Sequence, residues 1–164
     1  MIYRKIEIGD GEKYLKLMKQ LDIETSFMLY EPNERKTTVN EMEKKIEQIN
    51  ATGGVLIGAE VNNELVGFIS ASRVPLNRIK HIVYLVMGVL SKESGKGIAT
   101  GLFNELIGWA KKNNIKRLEL TVMKHNKRAI GLYKKIGFEI EGIKKNSLII
   151  DKQYVDEYYM GMIL

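Results

Sequence analysis

Apolar and polar residues alternate from Ile2 to Ile8, the period of a strand with one buried face. From Gly11 to Leu21 the period lengthens, and Tyr14, Leu15, Leu17, Met18 and Leu21 fall on one helical face. A less regular stretch, Asp22–Lys36, leads to Thr38, which is placed to cap a second helix over Val39–Ile49. Val55–Val61 and Leu65–Ser72 predict two strands, with Asn62-Asn63 as their hairpin turn. After a loop over Pro75–Lys80, the run His81–Leu90 is apolar at both alternating sets of positions, as expected of a central strand covered on both sides.

The second half continues the mixed pattern. Ile98, Leu102, Leu106 and Trp109 or Ala110 form an apolar stripe along a helix over Ile98–Lys112, which Asn113-Asn114 ends. Arg117–Met123 predicts a strand, and Asn126 is placed to cap a helix running to Lys135 that Gly137 stops. Phe138–Lys145 and Gln153–Leu164 complete the chain as an antiparallel pair across Ile150-Asp151-Lys152. The order β-α-α-β-β-β-α-β-α-β-β describes one α/β domain over residues 1–164, without repeats or linkers.

Between the central strand and the helix that begins at Ile98 lies Ser91-Lys-Glu-Ser-Gly-Lys-Gly-Ile-Ala-Thr100. A strand, a glycine loop and a helix start, in that order, make an anion cradle. Gly95 and Gly97 let the backbone turn sharply, and the unpaired N–H groups of the first helical turn face a phosphate. Lys96 adds positive charge. The loop is not a Walker A sequence, because Gly97 follows Gly95-Lys96 where a hydroxyl residue is needed and Leu90 stands at the first glycine position. Nor is it the dinucleotide fingerprint, whose last glycine position is occupied by Thr100.

Ser94-Gly95-Lys96-Gly97-Ile98-Ala99 resembles the pattern Gln/Arg-x-x-Gly-x-Gly/Ala, the acyl-CoA pyrophosphate loop of the GNAT superfamily of N-acetyltransferases, with Ser94 in place of Gln or Arg. Downstream, Asn126, Ala129, Tyr133, Gly137 and Phe138 are similar to the same family's second cofactor segment, Asn-x-x-Ala-x-x-x-Tyr-x-x-x-Gly-Phe. The resemblance implies the GNAT acyl-CoA N-acyltransferase fold, a central mixed sheet of about seven strands flanked by about four helices. It implies acetyl-CoA as acetyl donor and a primary amine as acceptor, which attacks the thioester directly in a ternary complex.

It also implies roles for particular residues. Ser94, Gly95, Lys96, Gly97, Ile98, Ala99 and Thr100 would hold the pyrophosphate. Met87, Gly88 and Val89 would pair with the pantetheine amides, with Gly88 as a bulge and a backbone N–H polarising the thioester oxygen. Asn126 would bind the pantetheine or pyrophosphate region, beside its plain function as a helix cap. Tyr133 would donate to the departing thiolate, since a phenol titrating near ~10 stays protonated where a thiol near ~8.5 begins to ionise. Without the family pattern, Tyr133 reads as a half-buried packing residue.

The attacking amine, with a lysine-like pKa near ~10.4, must lose a proton. His81, at the start of the central strand, and Glu31, in the irregular segment, are the candidate bases; Tyr84 and Glu24 have similar standing, and a water relay serves equally. Phe27, Met28, Leu29 and Tyr30 are placed to line an acceptor pocket, and Asp22, Glu24, Glu31 and Glu34 would suit a cationic acceptor. Small amines, aminoglycoside-like antibiotics, amino acids and protein N-termini all stay open. Two rivals remain: a non-catalytic CoA-binding or regulatory module of the same fold, and a nucleotide-phosphate-binding protein using Gly95–Thr100 alone.

Composition adds exclusions. The chain has 164 residues, 45% of them apolar and only two prolines, enough for a sizeable core. Zero cysteines exclude disulfides, thiolate metal sites and a cysteine nucleophile together. The two histidines are far apart in sequence and the acids show no liganding pattern, so no metal is expected. The first residues lack the apolar core of a signal peptide and no run spans a bilayer, so a cytoplasmic location is expected. The net charge of +6 comes from lysines and arginines dispersed among acids, without a nucleic-acid-binding signature. The terminal strand, apolar and rich in tyrosine, is either a homodimer edge or covered within the monomer.

Overall fold

A computed structural model describes residues 1–164. The strands are β1 (Ile2–Lys5), β2 (Val55–Val61), β3 (Glu64–Arg73), β4 (Ile82–Val89), β5 (Arg117–Met123), β6 (Glu139–Ile150) and β7 (Gln153–Ile163). The helices are α1 (Gly11–Glu24), α2 (Val39–Ala51), α3 (Ile98–Lys112) and α4 (Lys127–Ile136). They build one seven-stranded sheet in the order β1-β2-β3-β4-β5-β7-β6. Only β4 and β5 run parallel; the other neighbours are antiparallel. The expected mixed sheet and helix count are therefore present.

Local chemistry explains most boundaries. Thr38 and Glu41 form a reciprocal capping box that starts α2, and the Asn126 side chain accepts from the Ala129 N–H at 3.2 Å to start α4. Asn62 and Asn63 both adopt positive φ, 50° and 64°, the conformation of a two-residue hairpin turn. Elsewhere tertiary partners move the ends. β1 stops at Lys5 rather than Ile8, because the Asp10 carboxylate accepts from the Glu7 N–H and pairs with Arg4, folding Ile8–Asp10 into a single tight turn. Helix α1 runs three residues past Leu21, where Asp22 meets Arg35 and Glu24 meets the Ser91 N–H. β6 continues beyond Lys145 to Ile150 across an irregularity at Asn146, whose N–H donates to Asp156 at 2.9 Å.

The core lies on both sides of the sheet. One face is covered by α1 and α2, the other by α3 and α4, with Phe68, Phe103, Leu102, Leu106 and Ile69 among its fully buried side chains. One open alternative is decided here, and one expectation changes. β7 is inserted between β5 and β6, so the terminal strand is covered within the monomer and β6 forms the edge. β4 is not buried on both faces, since Tyr84 and Val86 remain 41% and 42% exposed. Their face looks into a cleft rather than onto a helix.

Candidate active site

The cleft begins where two strands part. β4 and β5 are paired only from Ile82–Arg117 to Tyr84–Glu119, although both continue beyond that level. On an extended strand successive backbone groups point to alternate sides. The Leu90 N–H bonds to Val66 on the β3 side, so the N–H groups of Met87 and Val89 point the other way, into the gap. Gly88, between them, turns its N–H to β3. It sits in regular register opposite Phe68, so the bulge expected at Gly88 is absent. Crowding explains that glycine: an added Cβ would lie 2.7 Å from the Leu21 side chain of α1.

Above the gap, the chain enters the glycine loop. Gly95 and Gly97 have φ of 82° and 79°, a region that side-chain-bearing residues rarely adopt, and both face open space. The first hydrogen bond of α3 runs from Gly101 N–H to the Gly97 carbonyl, leaving the N–H groups of Ile98, Ala99 and Thr100 without helical partners. No acid occupies the first turn of α3, so the positive end of the helix dipole stays uncompensated there.

The gap and loop open into one cleft of about 1040 Å³. Met87, Gly88, Val89, Ser94, Gly95, Gly97, Ile98, Ala99, Thr100, Asn126 and Tyr133 all line it. Three expected site residues do not. Lys96 is exposed and forms an ion pair at 2.9 Å with Glu93, which does line the cleft. His81 stands below the start of β4, where its carbonyl accepts from Lys116 and Arg117, and about six residues of strand, ~20 Å, separate it from Met87. Glu31 is exposed in the α1–α2 connection, its N–H donating to Glu34 at 2.8 Å. Glu24 does reach the cleft, but Oε2 accepts from the Ser91 N–H at 2.8 Å and Oε1 from Gln20. The Ser91 amide holds the Glu24 carboxyl below its usual range, which makes it an ionised anchor and a poor base.

Tyr133 projects from α4 into the aromatic floor of the cleft. Its ring meets Phe103 and Phe138 with centroids 5.9 Å from each, and the residue is 8% exposed. Burial, with a smaller effect from Tyr84, pushes the phenol up to about 12. The hydroxyl is therefore a neutral donor at physiological pH.

The two faces of the sheet divide the cleft. The loop, α3 and α4 supply one half. The other half lies on the α1 side, where the Tyr84 and Thr121 hydroxyls are 2.7 Å apart and Phe27, Met28, Leu29 and Tyr30 form the wall. Arg35 underlies that wall, 4.1 Å from the Tyr30 ring and paired with Asp22 at 2.6 Å. Sequence reasoning missed Lys144 and Glu157, which also line this half. The β5–β7 and β6–β7 pairings bring them there.

The residues present fit an acyl-CoA. An edge of unpaired amides suits an extended diamide arm, and the helix start with its glycine loop suits a pyrophosphate. Independent similarity points the same way. The chain is 34% identical over 107 residues to an L-amino acid N-acetyltransferase of Escherichia coli, an alignment covering 63% of this chain and 64% of the relative. It is 33% identical over 94 residues to a ribosomal-protein alanine N-acetyltransferase of Escherichia coli, covering 57% and 48%. The chain thus spans less than two thirds of the length of these curated relatives. The crystal structure of a GNAT family acetyltransferase from Streptococcus pneumoniae superposes with a TM-score of 0.92 at 27% identity, covering 99% of this chain and 98% of that one. Residues 18–138, from the middle of α1 through the parted strands and glycine loop to Phe138, match the acetyltransferase (GNAT) family model, and the chain belongs to that family.

Proposed function

We propose that the chain is an N-acetyltransferase that transfers the acetyl group of acetyl-CoA to a primary amine by direct attack in a ternary complex. The observation that carries this reading is the free edge of β4 at Met87 and Val89, which leads into the glycine loop and lines the same cleft as Tyr133. Bound acetyl-CoA supplies an acetyl group activated as a thioester. The backbone N–H groups around Gly95–Thr100 hold the pyrophosphate, with Ser94 adding a hydroxyl. Met87 and Val89 align the pantetheine amides, and the Met87 N–H polarises the carbonyl oxygen. Asn126 spends its carbonyl on the α4 cap and offers its NH₂ group to the ligand.

Tyr133 donates its O–H to the sulfur as the C–S bond breaks and the N–C bond forms. The ammonium proton leaves through water in the cleft before attack, and the proton shed by the acylated nitrogen returns through that water to Tyr133. With no cysteine in the chain, no acyl-cysteine step enters. The acceptor reading follows the named relatives, which act on amino acids and on a ribosomal-protein alanine. Both acceptor types present an α-amine.

The test is thiol release from acetyl-CoA with free amino acids, their amides and short peptides, together with calorimetric binding of acetyl-CoA. Turnover in at least one class, with acetyl-CoA binding lost in Gly97→Val, is expected. Tight acetyl-CoA binding with no thiol release from any amine would refute the catalytic reading. Absence of acetyl-CoA binding would refute the cofactor assignment.

A further inference from the structure

Glu157 is a carboxylate without an evident structural duty. It sits on β7 opposite Met123 of β5 and Lys144 of β6. Directly opposite residues of paired strands share a face. Gly88 faces Leu21 of α1, and the bond between Tyr84 and Thr121 puts the alternate residues of β5 on that same side. Glu157 therefore faces the acceptor half of the cleft, which it lines. Its height is set by register: Met123 lies four residues above Glu119, and Gly88 four above Tyr84, its partner. Glu157 thus stands level with the Met87 and Gly88 backbone, across the gap and one strand further on.

A carboxylate whose side chain is 10% exposed needs a partner. The one it has is loose. Lys144 Nζ lies 3.5 Å away, at the long end of the ion-pair range, on a side chain that is 45% exposed. The other cations lining the cleft are committed or distant: Arg35 is held by two hydrogen bonds to Asp22, and Arg128 belongs to the α4 side. Lys144 can leave for solvent at little cost, and a second ammonium can take its place.

We infer that Glu157 is the anchor for the acceptor's ammonium group, that Lys144 is its exchangeable counterion, and that the preferred acceptors are small amines carrying a carboxylate of their own. The inference rests on the transferase reading above. When an acceptor ammonium enters, Glu157 exchanges one cation for another and stays neutralised throughout. The released Lys144 ammonium then meets the carboxylate of a free amino acid. An amine lacking that carboxylate gains the first contact and not the second. Glu157 is a positioning residue in this account; the amine must still shed its proton to water before it attacks.

The experiment measures steady-state thiol release by wild type, Glu157→Gln and Lys144→Met with one amino acid, its amide and its decarboxylated amine, alongside acetyl-CoA binding by calorimetry and thermal melts. Glu157→Gln should raise KM for all three amines by roughly 10- to 100-fold, the weight of one hydrogen bond to a charged group. Acetyl-CoA affinity and the melting temperature should hold. Lys144→Met should split the series, raising KM for the amino acid and lowering it by about two- to fivefold for the decarboxylated amine, which no longer competes with lysine. An unchanged amine KM in Glu157→Gln, or equal shifts for acid and decarboxylated amine in Lys144→Met, overturns this inference and leaves the transferase reading standing. Wild type that binds acetyl-CoA and turns over no amine overturns both.

Discussion

Removing one oxygen atom, in Tyr133→Phe, separates the chemical use of Tyr133 from its packing. The ring contacts with Phe103 and Phe138, both at 5.9 Å between centroids, do not involve the hydroxyl and survive the change. Burial is what raises the phenol, and no hydrogen bond within the chain contributes to its shift. The hydroxyl makes no hydrogen bond within the chain and borders the cleft, so its loss should leave the melting temperature within about 2 °C of wild type. Loss of proton donation to the leaving sulfur should lower kcat by about 100- to 1,000-fold, equivalent to about 2.7–4 kcal/mol of barrier. KM for acetyl-CoA should stay within about threefold, because the contact strengthens only as the C–S bond breaks.

Thiol release under saturating amine supplies kcat, and calorimetry supplies donor affinity. The pH profile adds an independent check. A phenol pushed up to about 12 is protonated throughout a neutral assay range. The wild-type profile should therefore show no alkaline fall that Tyr133→Phe abolishes. Equal kcat in the two proteins would refute the donor role. A melting temperature lowered by more than about 5 °C would show instead that the hydroxyl holds the fold.

The other predictions concern the supports of the cleft. Asp22→Ala leaves the Arg35 guanidinium buried without its carboxylate and should cost about 3–5 kcal/mol in urea unfolding; a loss below about 1 kcal/mol would mean that the pair relaxes into solvent. Glu24 titrates below its ordinary value, so the stability from its bond to the Ser91 amide is fully present above that ordinary value and is lost as pH falls through the lowered one. In NMR spectra the Ser91 amide should shift with an acid titration midpoint below the ordinary glutamate value, about pH 4.5, and a midpoint at or above that value would contradict the contact.

The amino-acid sequence alone determined what depends on neighbours along the chain. Hydrophobic period distinguished helices from strands, Thr38 and Asn126 marked helix starts, Asn62-Asn63 marked a hairpin, and the loop at Gly95–Gly97 showed its chemistry in its own residues. These features are carried by torsions and caps within a few residues, so they can be read without the fold. Which side of a strand is free is a different matter, because it depends on a partner far away in the chain. Only the tertiary structure parted β4 from β5 above Tyr84, turned Met87 and Val89 into the gap and Gly88 away from it, and left His81 outside. It also spent Lys96 on Glu93 and Glu24 on Ser91. Nothing local marked Glu157 and Lys144 as lining the cleft. Their place in the cleft follows from β7 inserting between β5 and β6, a long-range pairing that no local pattern encodes.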